Sequence, residues 1–172
     1  LHEQGLGDPD VFIRETQDKH LIRSLGIPIN SLEGYLFPET YHFSKFTPET
    51  KIIRTMVDTF KEQISNAQLM QSAKESPLSW HEIITLASLI EKETGLDSER
   101  KMISSVFHNR LRKNMRLQTD PTVIYAIEQF DGNIRKRDLK IDSPYNTYRY
   151  KGLPPGPIAS PGIKAIVAAM SP

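Results

Sequence analysis

With 172 residues, 22 Lys plus Arg against 21 Asp plus Glu, the chain is long enough for one substantial domain and carries almost no net charge. That balance argues against a nucleic-acid duplex as partner. The absence of cysteine excludes disulfides, thiolate metal sites and thiol nucleophiles, and no run approaches the roughly 18 apolar residues of a membrane span.

Residues 1–30 read as mixed structure. The stretch Pro9-Asp10-Val11-Phe12-Ile13-Arg14-Glu15 begins a helix, and Gly26-Ile27-Pro28 closes the region with an extended turn. Residues 32–43 carry aromatics at near-alternate positions, which predicts an extended segment interrupted at Pro38. Its aromatics fit a core strand; exposed, Tyr35 or Tyr41 would instead line a carbohydrate cleft, because sugar rings stack on aromatic faces. Thr47-Pro48 predicts the start of a long amphipathic helix with Ile52, Ile53, Met56, Val57, Phe60 and Ile64 at helical spacing.

Ser79 is placed to cap the next helix, which Gly95 would stop. Ile83, Ile84, Leu86, Ala87 and Ile90 form its apolar face, and Glu91 projects between the directions of Ile84 and Ala87. An acid in that position is at least half buried. Burial and the negative end of the helix dipole both favour its neutral form, and a carboxyl still protonated near neutral pH can act as a general acid. The alternative is a glutamate at the rim of the core, paired with a Lys or Arg. Glu93, between Leu86 and Leu89, also lies close to apolar neighbours, and periodicity does not choose between the two acids.

Asp97 or Ser98 would cap the following helix, with Ile103, Val106, Phe107, Arg110 and Leu111 as its buried stripe. About three residues join the two helices, so the end of the Glu91 helix sits at a corner that a cleft can reach. Beyond residue 114 come polar loops punctuated by proline: 115–122, 143–148 and 152–158. Proline fixes such loops before binding, which suits recognition of a ligand rich in hydroxyls and amides. A last apolar helix runs from Ile163 to Met170, and the pattern breaks off at Ser171-Pro172.

Several motifs fall away. His81-Glu82-Ile83-Ile84-Thr85 lacks the second histidine of a zinc-protease helix, and the five histidines show no ligand-like spacing. No metal site is expected. Phosphate-cradling glycine loops and the serine hydrolase elbow are absent. Arg110, Arg112, Lys113 and Arg116 read as a solvated face or a weak anion patch.

Five blocks carry a resemblance: residues 32–41, Ala87 to Glu93, residues 106–111, Leu117 to Tyr125, and Ser143 to Gly162 with its Tyr-Asn-Thr-Tyr and Gly-Leu-Pro-Pro-Gly-Pro-Ile elements. In this order they closely resemble the YceG-like, or MltG, family of endolytic murein transglycosylases. The resemblance implies a lyase that cuts peptidoglycan glycan strands internally, between N-acetylmuramic acid and N-acetylglucosamine, and leaves a 1,6-anhydro end. It places the catalytic acid on Glu91, the first Glu of the Glu-Lys-Glu block. Gln118, Asp120, Asn146 and Tyr148 match the family's loop motifs and are expected, with Tyr41 and Glu39, to bind substrate. Asp120 is open to a second reading as the cap of a helix starting at Pro121. Glu39 stands where the family commonly has Asp.

The fold expected is α+β: a helix-rich catalytic domain with short strands and long proline-punctuated loops around a cleft. Residues 1–30 would be the tail of an upstream LysM-like region and residues 31–172 the catalytic domain, truncated at its C-terminus. The resemblance implies no cofactor, peptidoglycan strands and cell-wall synthases as partners, and a place in the cell envelope, anchored to the inner membrane and facing the periplasm. The anchor would precede Leu1. Rival readings are a hydrolase of the same glycan, with Asp120 or Glu93 activating water, and a non-catalytic peptidoglycan-binding module.

Overall fold

The computed structural model describes residues 7–27, 29–65 and 67–170. Pro28, Ser171 and Pro172 of the sequence reading lie outside them. Among the described residues eight α-helices follow in chain order: α1 (Pro9–Glu15), α2 (Lys19–Ser24), α3 (Glu49–Ile64), α4 (Ala67–Glu75), α5 (Trp80–Glu93), α6 (Asp97–Arg112), α7 (Asp120–Ala126) and α8 (Ile163–Met170). A 3₁₀ turn spans Asp138–Lys140. None of these helices is long and apolar enough to cross a membrane.

Helix α5 is the axis of the core. Every residue from Ile83 to Ile90 is buried, as expected of a helix surrounded on all sides. Each fully buried Ile or Leu contributes about 1.5–3 kcal/mol of apolar burial. The helix begins with the expected Ser79 cap, which the structure extends to a capping box: the Ser79 hydroxyl accepts from the Glu82 N–H, and Glu82 reaches back to the Ser79 N–H. Its two buried hydroxyls are satisfied locally. Thr85 donates to the His81 carbonyl at 2.8 Å and Ser88 to the Thr85 carbonyl at 2.7 Å. Ser88 then accepts the Ile158 N–H at 3.0 Å, which ties the proline-rich loop to the helix.

Helix α8 packs against α5 and α6 through Ala165, Ile166, Ala168 and Ala169. Leu21, Ile22 and Leu25, in and just after α2, and Ile53, Val57 and Phe60 of α3 join the same hydrophobic core. Gly34 allows the 32–43 segment to approach it. Its φ is +86°, and a Cβ there would stand 2.5 Å from Pro157 Cγ.

The expected α+β fold is corrected: the described residues contain no β-strand. Residues 32–43 are extended, but a strand needs a repeating ladder of backbone pairs, and theirs are isolated, such as Phe37 N–H to the Met56 carbonyl at 3.3 Å. The loops behave alike. The Gln118 N–H reaches the Thr147 carbonyl at 3.2 Å, after which side chains take over: the Thr119 N–H donates to Thr147 Oγ1 at 3.1 Å. Prolines at 38, 144, 154, 155, 157 and 161 remove further ladder donors.

Three helix boundaries also differ from the sequence reading. Thr94, extended at φ −146°, ends α5 in place of Gly95. Leu96 is the N-cap of α6, without a side-chain bond, because Asp97 serves an ion-pair network. Helix α3 starts one residue later than expected, at Glu49 with Pro48 as cap.

Candidate active site at the end of the Glu91 helix

The last turn of α5 carries two acids that leave in different directions, since two residues along a helix is a rotation of about 200°. Glu91 turns toward α6 and the start of α8. Its side chain is 27% exposed and accepts a two-pronged contact from Arg100, Nη1 to Oε2 at 2.9 Å and Nη2 to Oε1 at 3.1 Å. The Gly162 N–H donates to Oε2 at 3.1 Å. Because Gly162 caps α8, the carboxylate also meets the positive end of that helix.

Arg100 is 9% exposed and extends the network to Asp97 through Nε at 3.1 Å. Asp97 in turn pairs with Lys164. Burial works against the Arg100 charge, yet the hydrogen bonds with Glu91 and Asp97 hold it above the ordinary arginine value. Hydrogen bonds from Lys164 and then Arg100 hold the Asp97 carboxyl below the ordinary value. Glu91 is thus the paired rim glutamate of the alternative reading, and not an isolated acid in apolar surroundings.

Arg100 was missed because the buried face of α6 is polar. Arg100, Ser104, Phe107 and His108 are buried, whereas Val106, expected in the stripe, is 45% exposed. That face satisfies the end of α8: Ser104 donates to the Ala168 carbonyl at 2.6 Å, and His108 Nε2 lies 2.8 Å from the Ala169 carbonyl. The spacing of 100, 104 and 107/108 was a helical signal, carried by residues that apolar periodicity does not count.

Glu93 turns the other way and accepts from Thr119 Oγ1 at 2.5 Å. Here the structure gathers three of the expected substrate residues. Tyr148 OH donates to Asp120 Oδ1 at 2.6 Å. That bond first, then burial and the charges of Asp120 and Glu93, push the Tyr148 phenol up to about 12, with Arg110 opposing. Asp120 therefore bonds Tyr148 and does not cap α7, whose cap position is Thr119. Gln118 is exposed and left-handed at φ +52°, a conformation costing about 1–3 kcal/mol that tends to cluster at functional sites. Glu93, Arg110, Gln118 and Thr119 line a cavity of about 260 Å³ whose floor includes Phe107 and Leu117.

Asn146 lies fully buried and braces its own loop. It donates to the Leu139 and Ile141 carbonyls at 3.1 and 2.8 Å and accepts the Tyr148 N–H at 3.0 Å. It positions Tyr148. Tyr41 donates to the Phe37 carbonyl at 2.8 Å and stacks on Phe43. Tyr41 and exposed Glu39 belong to the 32–47 segment and form no hydrogen bond or ion pair with either acid's network. Tyr35, the other aromatic considered for a cleft, is buried against Phe60. No group of residues suited to holding a metal ion occurs among the described residues.

The YceG-like family model matches residues 5–172. The chain belongs to the YceG-like family. It is similar to an endolytic murein transglycosylase of Bacillus subtilis, 46% identical over 142 residues, which cover 82% of this chain and 39% of that protein. An endolytic murein transglycosylase of Streptococcus pneumoniae is 38% identical over 173 residues, covering 94% of this chain and 31% of the relative. The chain thus spans about a third to two fifths of these curated relatives. A crystal structure of a yceG-like protein from Listeria monocytogenes superposes with a TM-score of 0.85 at 38% identity, over 96% of this chain and 59% of that one.

Proposed function

We propose that this chain is the catalytic part of an endolytic peptidoglycan lytic transglycosylase, with Glu91 as acid and then base. The observation that carries the reading is the Glu91 carboxylate at the α5 corner, held by Arg100 Nη1 and Nη2 and by the Gly162 N–H, in a family whose relatives bear that activity in their names. A glycan entering this corner displaces Arg100 from one oxygen, so that the freed oxygen can carry a proton. Glu91 then donates it to the glycosidic oxygen while positive charge develops at the anomeric carbon. As carboxylate it takes the proton from the muramic 6-hydroxyl, which closes on that carbon in place of water.

One carboxyl serves both steps. The directions of the two acids support this over a two-carboxylate hydrolase, because Glu91 and Glu93 do not face a common space. A second reading, in which Glu93 is the acid, is favoured by one observation: Gln118, Asp120 and Tyr148 gather on the Glu93 side. Digestion of uncrosslinked strands by the parent, Glu91→Gln and Glu93→Gln forms, read by mass spectrometry, separates them. Anhydro-ended internal fragments lost only in Glu91→Gln support the first reading, and fragments lost only in Glu93→Gln support the second. Reducing ends would indicate hydrolysis. The finer setting, an enzyme held at the inner membrane facing the periplasm and working beside cell-wall synthases, rests on the family resemblance.

A further inference from the structure

At the opposite end of α5, about 15 Å along the helix for the ten residues from Glu91 back to His81, lies a cavity of about 350 Å³. Glu33, His81, Tyr125, Tyr145 and the turn at residues 155–157 line it. The chemistry proposed for Glu91 does not use it.

Three observations describe what it would hold. The Glu33 carboxyl is partly buried and makes no hydrogen bond or ion pair among the described residues. Burial pushes its pKa up, a penalty that an incoming cation reverses. Second, the cavity has no cation of its own: no Lys or Arg lines it. Both His81 nitrogens are occupied, Nε2 against the Pro155 carbonyl at 3.0 Å and Nδ1 against Tyr35 OH at 3.2 Å. The Pro155 carbonyl can only accept, so Nε2 carries a proton. Third, the Tyr125 and Tyr145 rings lie 4.8 Å apart, tilted by 47°. Burial and then the charge of Glu33 raise both phenols, Tyr125 to about 12, so Glu33 acts directly on that aromatic pair. A carboxylate beside two aromatic rings, with no native counter-charge, has the elements of an ammonium site. A neutral sugar would meet its hydrogen-bonding capacity but not its charge.

We propose that this cavity binds a primary ammonium group on a flexible aliphatic chain, with Glu33 meeting the charge and Tyr125 and Tyr145 enclosing the methylenes. Resting on the murein-cutting reading above, the ligand is the free side-chain amine of a diamino acid in an uncrosslinked stem peptide. Cross-linking converts that amine to an uncharged amide on the acceptor stem, so the site directs cutting to strands whose side-chain amines have not been used.

The test is a pair of NMR titrations of this chain with Nα-acetyl-lysine methylamide and with the same compound acetylated on its side-chain amine. The account expects the free amine to shift the Tyr125 and Tyr145 ring signals and to bind roughly tenfold more tightly than the acetylated form, the gain of a part-buried charge pair with aromatic contact. Glu33→Gln removes that difference. Equal binding of the two compounds, or ring signals that neither moves, overturns the proposal, and neither result depends on a variant that folds. A parallel digest of strands with free and acetylated stem amines keeps the two readings apart. Cleavage without preference between them overturns the amine site and leaves the lyase standing. Amine binding without cleavage of either strand overturns the lyase and, with it, the stem-peptide assignment.

Discussion

The two sides of the α5 C-terminus differ in how their acids are held. On one side Glu91 is bound by an arginine, a backbone N–H and a helix terminus, in a chain of charges running through Arg100 and Asp97 to Lys164. On the other, exposed Glu93 meets a single hydroxyl, with a strained Gln118 and a tyrosine–aspartate pair around it. The first arrangement fixes one carboxylate in one geometry. The second offers several donors and acceptors on loops. A reaction that moves a proton at one atom while gripping a long polymer needs both, and the account assigns chemistry to the first side and grip to the second.

The sharpest way to break that division is to remove each function in turn. Glu91→Gln keeps the shape and removes the transferable proton, so cleavage falls by roughly 100- to 10,000-fold, while strands still co-sediment with the protein. Arg100→Met leaves Glu91 and Asp97 without their shared partner. Stability drops by about 2–3 kcal/mol, toward the low end for a broken buried pair because Glu91 keeps some solvent, as urea unfolding will show. Asn146→Ala removes two donated bonds and one accepted bond from a buried brace and costs about 2 kcal/mol. It should raise KM more than it lowers kcat, because it loosens Tyr148 and leaves Glu91 in place.

The smallest effect is in pH. Tyr148, Tyr125 and Tyr35 are each pushed from 10 to about 12, so the folded chain holds these protons more tightly than the unfolded chain. Their contribution to stability is whole below about pH 10 and is lost as pH rises through about 12. Tyrosinate absorbance should show these three groups titrating late, and Asp120→Asn should bring Tyr148 forward while leaving Tyr35 unmoved.

Much of the helical core was legible. Ile52, Ile53, Val57 and Phe60 of α3, the cap at Ser79, and the last helix from Ile163 to Met170 all follow from spacing and end chemistry. Residues 32–43 are extended as expected, but the short strands of the expected α+β fold are absent among the described residues, because alternating aromatics signal extended backbone and cannot supply a partner. The face of α6 was misjudged for a related reason: Arg100, Ser104 and His108 are buried by pairing, and hydrophobic periodicity sees only apolar burial. Of the site, the corner at Glu91 was foreseeable from the short α5–α6 connection. Its partner was not, since Arg100 lies nine residues away across a turn and Gly162 contributes only backbone.

The measurement that bears most directly on the account is the mass-spectrometric digest of uncrosslinked peptidoglycan strands by the parent, Glu91→Gln and Glu93→Gln forms. The account predicts anhydro-ended internal fragments from the parent, nearly the same yield from Glu93→Gln, and none from Glu91→Gln. Fragments that persist in Glu91→Gln and vanish in Glu93→Gln would contradict it and move the chemistry to the other side of the helix.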